Sequence, residues 1–197
     1  MLVGILLAFV TRVPHSAAIS DPRDIVVAVL IGAIRVPLNV RHHFADVAKG
    51  LPRPGELPVA DAHDRKHGAR TYCYRYHAQA GTVLLELFDS DFGLHSARLS
   101  PVGHATHEKC PLLSSEPRVI VGKSRYDLRS LPRSEPSGFQ VRKRGDSITF
   151  ERQWTYSDPS HLHMWGTCFS RVVNLTIEPR EGVARSLTVD NWEEPGC

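Results

Sequence analysis

Several chemistries are excluded by what this sequence lacks. It has no G-x-S-x-G, no H-E-x-x-H and no glycine-rich phosphate loop, so the local signatures of common hydrolases, zinc proteases and nucleotide-binding folds are absent. None of its four cysteines stands in a C-x-x-C pair, which removes the zinc-ribbon and thioredoxin-type motifs. No apolar run approaches the ~20 residues needed to cross a bilayer as a helix; Leu2–Val10 and Ile25–Ile34 are about half that length. A large excess of one charge is missing too. With Lys+Arg 24 against Asp+Glu 21, the formal charge of +3 is too mild to indicate a nucleic-acid partner. What is there is ordinary for a globular chain: 42% hydrophobic and 23% charged residues over 197 positions, enough to bury a core and unlike a disordered composition.

The N-terminus points to export. Leu2 to Val10 is apolar and uncharged, and Ser16-Ala17-Ala18 follows it, so residues 1–18 read as a secretory signal cleaved after Ala18. No Lys or Arg precedes the run, and a buried strand is the competing reading. A secreted or periplasmic location is expected, and no cysteine follows the run to carry a lipid anchor. Ile25–Ile34, rich in β-branched residues, reads as a buried strand. In an exported chain Cys73, Cys110, Cys168 and Cys197 read as two disulfides.

The clearest pattern is C-terminal. Val173, Leu175 and Ile177 alternate with Asn174, Thr176 and Glu178; Pro179 to Gly182 is a turn, and Leu187 and Val189 resume the alternation. With Ile148, Phe150 and Trp154 upstream, this makes a three-stranded antiparallel meander interrupted by a long loop from Tyr156 to Thr167. Before it, Ser124 and Asp127 form an S-x-x-D capping box, Leu128 and Leu131 share a face and Pro132 is a stop, so a short helix is expected. The first half shows a similar order. A helix from Asn39 carries Val40, Phe44, Val47 and Leu51 and ends at Gly50 and Pro52; strands follow over Tyr72–Tyr76, Thr82–Phe88 and Leu94–Ser100. Helix, strand, strand, strand thus recurs at an offset of roughly 85–90 residues. The expected fold class is α+β: two tandem units, 19–113 and 114–197, each a short helix packed on an antiparallel sheet of three to four strands. Each unit would be closed by its own bridge, Cys73–Cys110 and Cys168–Cys197, stabilising by roughly 3–4 kcal/mol apiece.

The phrase Gly122-Lys123-Ser124-Arg125-Tyr126-Asp127-Leu128, followed by Leu131-Pro132 and a meander, resembles a known signature. It is that of small secreted bacterial proteins of the β-lactamase-inhibitor-protein type, and of outer-membrane-assembly lipoproteins sharing their helix-plus-sheet unit. Asp46-Val47 through Gly50-Leu51-Pro52 echoes the same helix end. The resemblance implies tandem helix-plus-sheet units. Lys123 stands where methionine is common in that signature, the glycine before Pro132 is absent, and no target-binding residue carries over.

Each candidate site has an ordinary reading beside the functional one. His161-x-His163 and His104-x-x-His107 are close in sequence, but a zinc site needs three or four converging ligands, and polar loops account for them; no metal or other cofactor is expected. Tyr72, Tyr74 and Tyr76 share one strand face, core by default and a binding surface if that face is open. Trp154, Tyr156 and Trp165 flank the long loop and pose the same question. Arg142-Lys143-Arg144 is either a solvated cluster or a patch for an anionic envelope component. Asp89 and Asp91 read as turn residues. No catalytic residue is identified. The expectation is an exported, non-enzymatic module that binds another protein, as an inhibitor or envelope-assembly factor does. The alternative is an exported metal-binding protein or enzyme using the histidine-rich loops.

Overall fold

The computed structural model describes residues 25–39, 41–59, 61–102, 107–129, 136, 138–157, 168–181 and 183–195. The signal-like residues 1–18, the helix positions Val40, Leu131 and Pro132, and Cys197 lie outside the described residues, as do His104, His161, His163 and Trp165. Of the described residues 63% are strand and 6% helix, so the chain is a β protein and not the tandem of helix-on-sheet units that the sequence pattern suggested.

In chain order the first half contains β1 (Val27–Ile31), β2 (Ile34–Pro37), the one-turn helix α1 (Phe44–Val47), β3 (Gly55–Leu57), the short helix α2 (Ala62–Lys66), β4 (Arg70–Ala78), β5 (Gly81–Ser90) and β6 (Gly93–Val102). The second half contains β7 (Pro117–Val121), β8 (Ser124–Tyr126), β9 (Gln140–Arg144), β10 (Ser147–Ser157), β11 (Cys168–Arg180) and β12 (Val183–Pro195). Hydrogen bonding sorts the strands into a four-stranded sheet, β2-β1-β7-β8, and an eight-stranded sheet, β3-β4-β5-β6-β12-β11-β10-β9. All named strand pairs are antiparallel.

Of the two expected helices, turn chemistry overturns one and tertiary contacts shorten the other. Gly122 adopts φ +62, so the chain reverses at Gly122-Lys123 and Ser124–Tyr126 pairs back onto Val119–Val121. The capping-box spacing of Ser124 and Asp127 therefore sits on a strand. The helix expected from Asn39 shrinks to Phe44–Val47, because Asn39 is engaged in a bridge with Leu94 and the Asp89 carboxylate accepts from the Phe44 N–H at 3.0 Å. Ile25–Ile34 is likewise not one strand: Gly32, at φ +60, turns the chain between β1 and β2.

The pairing has an internal two-fold character. Across β1 and β7, Val29 faces Val119, with Val27 facing Val121 and Ile31 facing Pro117. Across β6 and β12, Arg98 faces Thr188, with Ala97 facing Val189 and Leu99 facing Leu187. Each centre joins residues 90 positions apart. The same spacing relates the register shift at Phe88/Asp89 to the one at Glu178/Pro179. The repeating unit is thus a hairpin plus a four-stranded meander, not a helix plus three strands. Both sheets take strands from both halves, so the halves share one structure.

Alternation explains the core. Leu85 and Leu87 of β5, Leu99 of β6, and Leu175, Ile177 and Val189 of β11 and β12 point to the same side and are buried. They join Val29, Val36, Val119 and Val121 of the smaller sheet in one hydrophobic cluster, so the sheets pack face to face. Each such side chain contributes about 1.5–3 kcal/mol on burial. At one end Arg171 fastens the layers: its Nε donates to Asn191 Oδ1 at 2.8 Å and a terminal nitrogen to Ile25 O at 3.2 Å. Asn191 Nδ2 in turn donates to Leu38 O at 2.6 Å.

The opposite face of the eight-stranded sheet is only partly covered. The Cys73–Cys110 disulfide holds the segment around Pro111 against β4, where Arg75 N–H donates to Pro111 O at 2.8 Å. Leu84, Leu57 and Val102 pack around the bridge. Cys168 is disulfide-bonded as well. No described helix is long and apolar enough to cross a membrane.

Candidate functional site

The register shift between β5 and β6 builds a cleft lined by aromatic, histidine and aspartate side chains. Phe88 pairs with Ser96 and Asp89 with Leu94, which leaves His95 as the extra residue of a β-bulge. A bulge breaks strict alternation and re-aims side chains. His95 is fully buried. Its ring lies 3.9 Å from that of Trp192, centroid to centroid, and meets Phe88 edge-on at 5.3 Å.

Its hydrogen bonding fixes its state. Nδ1 lies 2.8 Å from Gly93 O, which only accepts, so Nδ1 carries the proton. In the neutral ring Nε2 is then a bare acceptor, and it has no hydrogen-bond partner among the described residues. Burial pushes the imidazole pKa down, favouring that neutral form, against a smaller opposing effect of the Gly93 bond. Ser90 Oγ is 3.4 Å from Nδ1, but a nitrogen already donating to Gly93 cannot take the serine proton. This pair is therefore not a nucleophile and its base.

Helix α2 supplies the facing wall. Asp61 caps it, accepting from the His63 and Asp64 N–H groups at 2.7 and 3.2 Å, and Gly68 at φ +75 ends it. It contributes His63, Asp64 and His67 to a cleft of about 420 Å³. Asp91, in the β5–β6 turn, lies 3.7 Å from His67, and Phe92 beside it is 62% exposed. On the floor Ser96 Oγ donates to Asp190 Oδ1 at 2.6 Å. Burial raises the Asp190 pKa, and the serine bond only partly offsets this. The cleft continues over Phe88 into shallower depressions lined by Thr71 and Glu86.

The residues singled out from sequence lie elsewhere. Tyr74 is fully buried, its hydroxyl donating to Pro52 O at 2.8 Å, and Tyr72 stacks on Phe44 at 4.3 Å; with half-buried Tyr76 they line the covered side of β4. Trp154 lies between Arg152 and Arg171, 5.5 and 5.3 Å from their guanidinium carbons. Tyr156 donates to Glu193, which also pairs with Arg41 at 3.0 Å. Arg142, Lys143 and Arg144 are exposed on β9, the edge of the large sheet, with Arg142 2.9 Å from Glu151. Charge on an edge strand discourages pairing with other chains. His107 is half-buried beside the Glu86 depression, its Nδ1 without a hydrogen-bond partner among the described residues. Asp89 is a buried tie to α1, 3.0 Å from His43 Nδ1, while Asp91 is in the turn.

Sequence reasoning missed His95, Trp192 and α2. Period-two alternation would place His95 opposite Leu94 and Ser96, and nothing in the residues announces the bulge. The Asp61–Asp64 pair was a usable cap signal for α2. Among the described residues no group of three or more His, Cys, Asp or Glu is arranged to hold a metal ion. No family model, curated protein or solved structure matches the chain.

Proposed function

We propose that the protein is an exported, non-enzymatic binding module that engages a protein partner through the cleft at the β5–β6 bulge. The observation that carries this reading is an asymmetry between two halves of matching register. At the equivalent bulge of the second half stands Arg185, exposed to solvent, where the first half has buried His95. There β9 and β10 are joined by the tight Gly145-Asp146 turn, whereas β3 and β4 are separated by the segment that forms α2. The first half has therefore added a wall and an aromatic-lined floor to a position that the second half leaves open.

A cleft of about 420 Å³ is in the range of ligand sites. Exposed Phe92 at its rim is the kind of aromatic anchor that interfaces use. The Cys73–Cys110 bridge and the bonded Cys168 support an oxidising compartment. A photoreactive benzoylphenylalanine at position 92, in the full chain expressed in its native host, should form one discrete adduct under light; the same group at position 185 should not. No adduct from 92, or equal adducts from both, would sink the proposal.

A further inference from the structure

Resting on that reading of the cleft, we propose that the group it receives is an organic cation with N–H donors on an apolar stem: the ammonium end of a partner's lysine. His95 is the first reason. With Nδ1–H given to Gly93 O, the buried Nε2 presents only a lone pair; it has no partner among the described residues, and such an acceptor away from water is costly until a donor reaches it.

The charges give the second reason. Asp64, Asp91 and Asp190 line the cleft together with His63 and His67, and among the described residues neither lysine nor arginine does. Arg65 of α2 donates instead to Val59 O at 2.6 Å. Burial weighs against the charge of Asp190; its hydrogen bond from Ser96 offsets this only in part, and no lysine or arginine is paired with it among the described residues. A cation would offset that penalty, and an anion would meet three carboxylates. The walls supply the third reason: Phe88, Phe92 and Trp192 offer aromatic surface for an aliphatic stem and for cation–π contact. A neutral apolar group would fit those walls but leave Nε2 and Asp190 as they are.

The test is a titration of the purified full chain at pH 7.5 with N-acetyl-lysine N-methylamide and with its norleucine counterpart, read from the Trp192 and His95 resonances. The lysine probe should bind about tenfold more tightly. His95→Phe, which keeps an aromatic ring but removes the acceptor, and the exposed Asp91→Asn should each weaken it about fivefold. Equal binding of the two probes in the cleft would overturn the cation and leave the site standing. No cleft response to either probe would overturn the site itself. A lysine-containing hexapeptide should bind more tightly than free butylammonium; equal affinity would overturn the assignment to a partner's side chain.

Discussion

His95 and Arg185 occupy equivalent bulges 90 positions apart in the chain, one fully buried against Trp192 and the other exposed. Their substitutions should therefore behave differently. Arg185→Ala, at the surface, should change stability by less than about 0.5 kcal/mol. His95→Ala should cost about 1–3 kcal/mol, since loss of the Gly93 hydrogen bond and the cavity beneath Trp192 outweigh relief of the partnerless Nε2. Urea unfolding of both variants measures the contrast; equal, small effects would mean that His95 is not held as described.

The shared core predicts a single unfolding unit. Leu85 and Leu175 lie 90 positions apart, both wholly buried in one cluster. Leu85→Ala and Leu175→Ala should each cost about 2–5 kcal/mol and leave one cooperative transition. Two separate transitions, one sensitive to each substitution, would show that the halves fold independently.

The Cys73–Cys110 bridge spans 37 residues and is fully buried. Replacing both cysteines with alanine should lower stability by about 4 kcal/mol in the chain-entropy model. Denaturant midpoints compare the variant with the parent. A loss well under 1 kcal/mol would mean that the Pro111 segment holds β4 without the bridge.

Alkaline pH should loosen the protein. The Tyr74 hydroxyl is pushed up to about 12 by burial, and Tyr156 to about 12 by burial and by its bond to Glu193. The folded state keeps both protons where the unfolded chain releases them near the ordinary value of 10. Stability present below pH 10 is then lost as pH rises toward 12, with a limiting slope of about 1.4 kcal/mol per pH unit from Tyr74 and a smaller one from the more exposed, solvent-screened Tyr156. Spectrophotometric titration of the native protein, with denaturation curves at each pH, checks both the delayed ionisation and its cost.

How much of this was legible in the residues depends on whether local pattern or pairing decided the outcome. The alternation of Val173, Leu175 and Ile177 marks β11 directly, because one face is buried and the other wet. Ser124 to Leu128 carries a helix signature, yet the strand partner Val119–Val121 and the Gly122 turn prevail, since tertiary pairing overrides a local cap. Three short or exposed strands, β3, β8 and β9, lack a strong alternating signal and are defined by their partners. The site was least legible of all. A bulge is one extra residue in a register, so His95 acquires its surroundings only when β5, β6 and β12 are laid side by side.

Mapping the lysine probe on the full chain tests the recognition site most directly, by following backbone amide shifts across a ¹H–¹⁵N titration. If the bulge cleft is the site, saturable shifts should be confined to Ser90–Ser96, the strand around Asp190 and Trp192, and α2. Shifts centred instead on β9 with Arg142–Arg144, or around Trp154 and Tyr156, would contradict it.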